Sequence, residues 1–144
     1  MGNERKLFFL ADIFFRDQAV DSEILQVVSM LKKDLELWLV VDLPEEEFEK
    51  IQGSGTLKDS FHKTVYLDEQ GLSYGAMETY EFLYDQTKIP HEQCLFLDCN
   101  LKRTVQAINN GIYAAVITDK ACLEREFLLR RLTDQEYVLH RRPE

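Results

Sequence analysis

Short runs that are apolar on both faces alternate along this chain with stretches whose apolar residues return every three or four positions. The first run, Leu7-Phe8-Phe9-Leu10-Ala11, stops at Asp12, so Lys6–Ala11 is predicted as a buried strand. From Asp21 the period changes: Ile24, Leu25, Val27, Val28 and Leu31 fall at helical spacing, with Asp21 or Ser22 placed to cap the first turn. Leu37–Val41 repeats the strand signature. Pro44 followed by Glu45, Glu46 and Glu47 suits the start of another helix, where proline loses no hydrogen bond and acids favour the dipole. Gly53-Ser54-Gly55 predicts a turn, Thr64–Leu67 a third strand, and Met77 to Thr87 a helix ended before Pro90. Cys94–Leu97 is a fourth strand. Asn100 caps a helix with Leu101, Val105 and Ile108 on one face and Gly111 as its stop. Tyr113–Ile117 is a fifth strand, and Leu123 to Leu132 a last helix.

Strands alternating with helices imply right-handed crossovers and a sheet covered on both faces. The expected fold is therefore α/β, a Rossmann-like three-layer sandwich around a mostly parallel five-stranded sheet, in one domain over residues 1–144. An apolar content of 45% supplies a core for that length without disulfides.

Composition then narrows the partners. No apolar run approaches the ~20 residues of a membrane span. Met1 to Lys6 carries charges and no apolar stretch, unlike a secretory leader, and Lys6 sits where a myristoylation signal prefers Ser or Thr. Cys94, Cys99 and Cys122 form no C-x-x-C pair, which fits a reducing, cytoplasmic setting. A net charge of −9 argues against nucleic acid, and Arg130, Arg131, Arg141 and Arg142 read as a solvated helix face and tail. His62, His91 and His140 lack the spacing of a zinc site.

In a sheet of this kind, polar residues that follow strands gather in the crevice at the carboxyl edge. Asp12, Asp42 and Asp98 each follow a predicted strand. Three acids so placed suit a magnesium ion or a transferring phosphoryl group, although Asp also simply caps turns and helices. The aromatic group of Phe61, Tyr66, Tyr74, Tyr80, Phe82 and Tyr84 is open to two readings, interaction surface or packing.

Residues from Asp68 to Asp119 resemble the C-terminal half of a haloacid-dehalogenase-type (HAD) phosphatase of the sugar-phosphate phosphatase branch. Gly71-Leu72-Ser73-Tyr74-Gly75-Ala76-Met77-Glu78-Thr79-Tyr80 is similar to the family's Gly-Leu-Arg-Lys-Pro-Asp-Pro-Glu-Ile-Tyr. Ile89-Pro90-His91-Glu92-Gln93-Cys94-Leu95-Phe96-Leu97-Asp98-Cys99-Asn100 resembles its Pro-x-Glu-x-Leu-Phe-x-Asp-Asp-Asn strand, and the run Val105 to Ile112 continues it as the family's Ala-x-x-x-Gly-Ile helix end. Leu37–Pro44 resembles the strand into the family's Ser-Asn pair, and Leu7–Phe15 its nucleophile strand.

The resemblance implies a nucleophilic Asp, an acid/base Asp two residues on, a Ser or Thr and a Lys for phosphate, and paired acids for magnesium. This chain departs at each station. With Asp12 as nucleophile, the acid/base position is Phe14; shifted by one, the two positions are Ala11 and Ile13. Val41-Asp42 stands for Ser-Asn, replacing a hydroxyl with a methyl and adding a negative charge where phosphate would sit. Tyr74-Gly75 stands for Lys-Pro and removes a cation, and Asp98-Cys99 stands for Asp-Asp, giving magnesium a soft thiol. Only Phe15 to Val20 separates the first strand from the next helix, too little for the family's cap domain.

These departures lead to the expectation of a capless pseudophosphatase that works through a protein partner or copies of itself, with no cofactor and no small-molecule phosphate. Two alternatives stay open. One is a residual hydrolase using Asp12 and Asp98 with magnesium; the other is a reactive thiol at Cys99, at a helix N-terminus.

Overall fold

A computed structural model describes residues 6–16, 19–33, 35–52 and 56–125. The first strand, β1 (Lys6–Leu10), is buried along its whole length, as its two-sided apolar run requires. A 3-10 turn, Ala11–Phe14, follows, and then a hairpin of two short antiparallel strands, β2 (Phe15–Arg16) and β3 (Ala19–Val20). The backbone N–H of Asp21 donates to the Phe14 carbonyl at 2.6 Å. That bond closes the hairpin at its base, so nothing larger is inserted there, and no cap domain is present among the described residues.

Asp21 is also the cap of α1 (Ser22–Leu31), accepting from the N–H groups of Glu23 and Ile24. The chain continues through β4 (Glu36–Val41), α2 (Glu45–Gln52), α3 (Thr56–Asp59) and β5 (Lys63–Tyr66). Then come α4 (Met77–Thr87), β6 (Cys94–Asp98), α5 (Leu101–Asn109) and β7 (Ala114–Val116). Residues 120–125 begin another helix, whose predicted continuation to Leu132 lies outside the described residues, as do Gly53-Ser54-Gly55 and the four C-terminal arginines.

The five strands β5-β4-β1-β6-β7 form one sheet in that order, every pair parallel. One face is covered by α1 through Ile24, Val27, Val28 and Leu31, joined by Phe48, Leu57 and Leu123. The other is covered by α4 through Tyr80, Leu83 and Tyr84, with Ala107 and Ile112. This is the expected three-layer α/β sandwich, with a sheet that is entirely parallel. Trp38 is core, as its strand position implied, and the ammonium groups of Lys6 and Lys63 lie over its ring at 4.2 and 4.6 Å. No helix among the described residues is long and apolar enough to cross a membrane.

The aromatic group resolves into packing. Phe61 meets Phe9 and Phe14 edge-on, and Tyr80 and Tyr84 stand edge-on to Phe96, all in the core. One helix departs from the ordinary pattern. Leu101, Val105 and Ile108 share a face of α5, but that face is exposed, and the buried side carries Thr104 and Ala107. Small side chains let α5 lie close to the sheet, which leaves its larger apolar residues outside.

Candidate functional site

The sheet order places β1 at the centre, with the chain moving outward through β4 and β5 before crossing to β6 and β7. Loops leaving β1 and β6 diverge to opposite faces, which opens a crevice at their carboxyl ends. Asp98 closes β6 and is buried, with 3% exposure; Asp12 sits in the first turn after β1 with its side chain 58% exposed. Asp42 follows β4, half-buried. The topology therefore brings the three acids to one edge, as their strand-end positions implied.

A cation that the sequence reasoning did not single out lies between them. Arg103, in the first turn of α5, donates from Nε to Asp98 Oδ2 and from Nη2 to Asp98 Oδ1, each at 2.6 Å. The same Nη2 is 3.9 Å from Asp12 Oδ2. Asp98 Oδ1 also accepts from the N–H of Asn100 at 3.0 Å, and Asn100 in turn caps α5 by accepting from the N–H of Arg103 at 2.8 Å. Paired this way, the guanidinium is held still more firmly charged, chiefly by its hydrogen bonds to Asp98. A signal was available: a first helical turn with no acid and a basic residue opposes the dipole, which is tolerated where an anion waits nearby.

Tyr74 forms the floor of this arrangement. The 3-10 turn Leu67–Gln70 ends at Gly71 in the left-handed region (φ 70°), and the loop turns back across the sheet edge. Thr79, in the first turn of α4, anchors it by donating from Oγ1 to the Ser73 carbonyl at 2.6 Å. Tyr74 Oη then accepts from the N–H of Ala11 at 3.1 Å and donates to the Val40 carbonyl at 2.8 Å, joining the ends of β1 and β4. Its own N–H donates to Asp42 Oδ2 at 3.0 Å, and its ring lies under the Arg103 guanidinium at 4.8 Å. Burial, then the Asp12 charge, pushes the Tyr74 phenol far above the ordinary tyrosine range.

Phe14, given above as the acid/base position for Asp12, is not part of the group: it is fully buried between Phe9 and Phe61. Ile13, its counterpart in the alternative register, is 4% exposed and also in the core. In either register the residue two along from the nucleophile position packs inward. Desolvation raises the Asp12 carboxyl above its usual value, Arg103 opposes this, and the Asp98 and Asp42 charges add to it. The Cys99 thiol is half-buried and pushed up by desolvation and by the neighbouring charges of Asp98 and Asp12, which works against a thiolate despite the helix N-terminus.

A cavity of about 600 Å³ opens beside the cluster on the β4 side, lined by Ala11, Asp12, Phe15, Val41, Asp42 and Tyr74 among others. Val41 and Asp42 stand on its wall, so that side presents a methyl surface and a carboxylate.

No family model matches the chain, and no curated protein matches it by sequence. Solved structures do resemble it. An uncharacterized protein from Corynebacterium glutamicum superposes with a TM-score of 0.62 at 12% identity, over 91% of this chain and 94% of the other. A predicted HAD-like family hydrolase from Porphyromonas gingivalis has a TM-score of 0.62 at 18% identity, over 77% of this chain and 58% of that one. A variant of a HAD family enzyme from Bacteroides thetaiotaomicron, in complex with magnesium and inorganic phosphate, has a TM-score of 0.62 at 10% identity, over 79% of this chain and 94% of the other. This chain has the HAD-like fold.

Identities this low establish the architecture and leave the chemistry to the residues present. Magnesium asks for a near-octahedral set of oxygen donors and retains several waters. The HAD-like crevice here offers Asp98 with both oxygens engaged by Arg103 and a guanidinium within reach of Asp12. Among the described residues no group of three His, Cys, Asp or Glu side chains is placed to hold a metal ion. The residues present do not fit the ion.

Proposed function

We propose that this HAD-like chain is a pseudophosphatase, a folded domain that acts through contact with a protein partner or with copies of itself and does not turn over phosphate esters. One observation carries the reading: the polar groups at the carboxyl edge are already paired with each other. Asp98 is held by three hydrogen bonds from Arg103 and Asn100, and Tyr74 Oη occupies the N–H of Ala11 and the carbonyl of Val40. A phosphate dianion would meet the Asp12 and Asp42 carboxylates and a guanidinium already committed to Asp98, with no hydroxyl at Val41 and no ammonium at position 74. Each lost catalytic group typically slows such an enzyme by ~10²–10⁴-fold.

Two features support action through protein contact. The crevice lacks a cap among the described residues, which leaves it open to a macromolecule. The exposed stripe of Leu101, Val105 and Ile108 on α5, extended by Tyr113, is apolar surface of the kind that interfaces use. The residual-hydrolase alternative needs Asp12 and Asp98 free to share a metal, and both face Arg103 instead.

The test is phosphate release from a panel of phosphate monoesters by the purified chain with magnesium. No release above the Asp12→Asn variant is expected. Magnesium-dependent turnover that disappears in Asp12→Asn overturns the proposal.

A further inference from the structure

We infer that Arg103 is a tethered cation that stands where a HAD-like fold binds magnesium, making this chain's crevice indifferent to divalent ions. The inference deepens the pseudophosphatase reading and rests on it. Its starting point is the valence of Asp98. A carboxylate has about four acceptor positions, and the buried Asp98 spends three: two on the Arg103 fork and one on the N–H of Asn100. A carboxylate buried this deeply needs a compensating positive charge. Arg103 supplies it from within the chain, and also lies 3.9 Å from Asp12, on the opposite wall of the crevice. One cation thus answers two acids that would otherwise repel each other, as a divalent ion does.

The seat for the guanidinium is made by the two residues that replace Lys-Pro. Tyr74 offers its ring face at 4.8 Å. Gly75 has φ 88°, and a Cβ there would stand 3.2 Å from Arg103 Cδ and 3.4 Å from Cγ. Glycine at 75 therefore leaves both the backbone conformation and the space for the arginine stem. A lysine at 74 would set a second cation against the guanidinium. Tyr74, Gly75, Asp98 and Arg103 thereby form one interlocked unit, in which a cation missing from one segment is returned from another.

Manganese, followed by electron paramagnetic resonance, is a direct probe of the site, and magnesium-dependent thermal unfolding is a second. The wild type is expected to bind manganese weakly and to keep its Tm when millimolar magnesium is added. Arg103→Ala is expected to unfold at lower temperature, to bind manganese at least about tenfold more tightly as a fixed positive charge is lost, and to regain part of its Tm with magnesium. Adding Asp98→Asn to that variant should abolish the gain. Should Arg103→Ala fail to fold, Arg103→Lys keeps the charge without the fork and is expected to stay insensitive to magnesium at a reduced Tm. Manganese bound by the wild type as tightly as by Arg103→Ala overturns the inference, as does an Arg103→Lys protein that responds to magnesium when the alanine variant is unfolded. Wild-type manganese binding as tight as in Arg103→Ala, without phosphate release, would sink this inference alone, whereas metal-dependent release would sink the pseudophosphatase reading.

Discussion

The two sides of the crevice start from the same rule, an acid at the end of a parallel strand, and finish differently. On the β6 side Asp98 is buried and locked in a bidentate pair, with α5 and the Tyr74 loop closed over it. On the β4 side Asp42 is half-buried, holds one N–H of Tyr74, and borders an open cavity. The difference shows that strand-end placement gathers charge but does not say how the charge is satisfied. A guanidinium fork within reach turns one acid into structure, whereas a single N–H on the other side leaves Asp42 at the rim of an open cavity.

At neutral pH, breaking the closed side should have the largest effect. Tyr74→Phe keeps the ring under Arg103 but leaves the Ala11 N–H and the Val40 carbonyl without their shared partner. A loss of roughly 2 kcal/mol is expected from two unsatisfied backbone groups, seen as a lower midpoint in urea with an unchanged slope. A loss within error of zero would mean that water replaces the hydroxyl and that the β1–β4 junction is not closed.

The next effect is alkaline. Tyr84, desolvated beside β6, is pushed up to about 12, and Tyr74 higher still, against 10.0 in the unfolded chain. A folded value raised above the unfolded one means that stability is fully present below that unfolded value and is lost as pH rises toward the folded one. Each such tyrosine costs about 1.4 kcal/mol per pH unit over that window. Phenolate absorbance should accordingly show two tyrosines ionising only with unfolding. If all the tyrosines titrate near their ordinary value with the fold intact, the closed side is more hydrated than the geometry implies.

The smallest effect sharpens the open side. Asp42→Asn retains an oxygen for the Tyr74 N–H while deleting one of the charges that raise the Asp12 carboxyl. Stability should change by under about 0.5 kcal/mol. The Asp12 carboxyl resonance should titrate at lower pH than in the wild type, and an unmoved titration would show that Asp42 does not reach it.

Much of the architecture was legible in the pattern of residues, because buried strands and amphipathic helices are repetitive and each residue reports its own environment. The runs at Leu7, Leu37 and Cys94, the Asp21 and Asn100 caps and the Gly111 stop are all present as expected. Two short strands differ in their ends, which are set by neighbouring strands: β5 is displaced by one residue to Lys63–Tyr66, and β7 is shorter by one at each end, Ala114–Val116. At the site, Tyr74, Asp98 and Asp12 come together, whereas Phe14 turns into the core and Arg103 was not singled out.

The sequence by itself determined the order of strands and helices along the chain and the placing of Asp12, Asp42 and Asp98 at strand ends. Those properties follow from side-chain period and residue chemistry, which are local. Only the tertiary structure decided which way α5 is rotated, and with it that Leu101, Val105 and Ile108 face outward while Arg103 reaches Asp98. Helical period places residues on a common face but cannot say which face meets the sheet. Here small Thr104 and Ala107 fit against it, and a buried carboxylate without a counter-charge would cost more than three exposed apolar side chains.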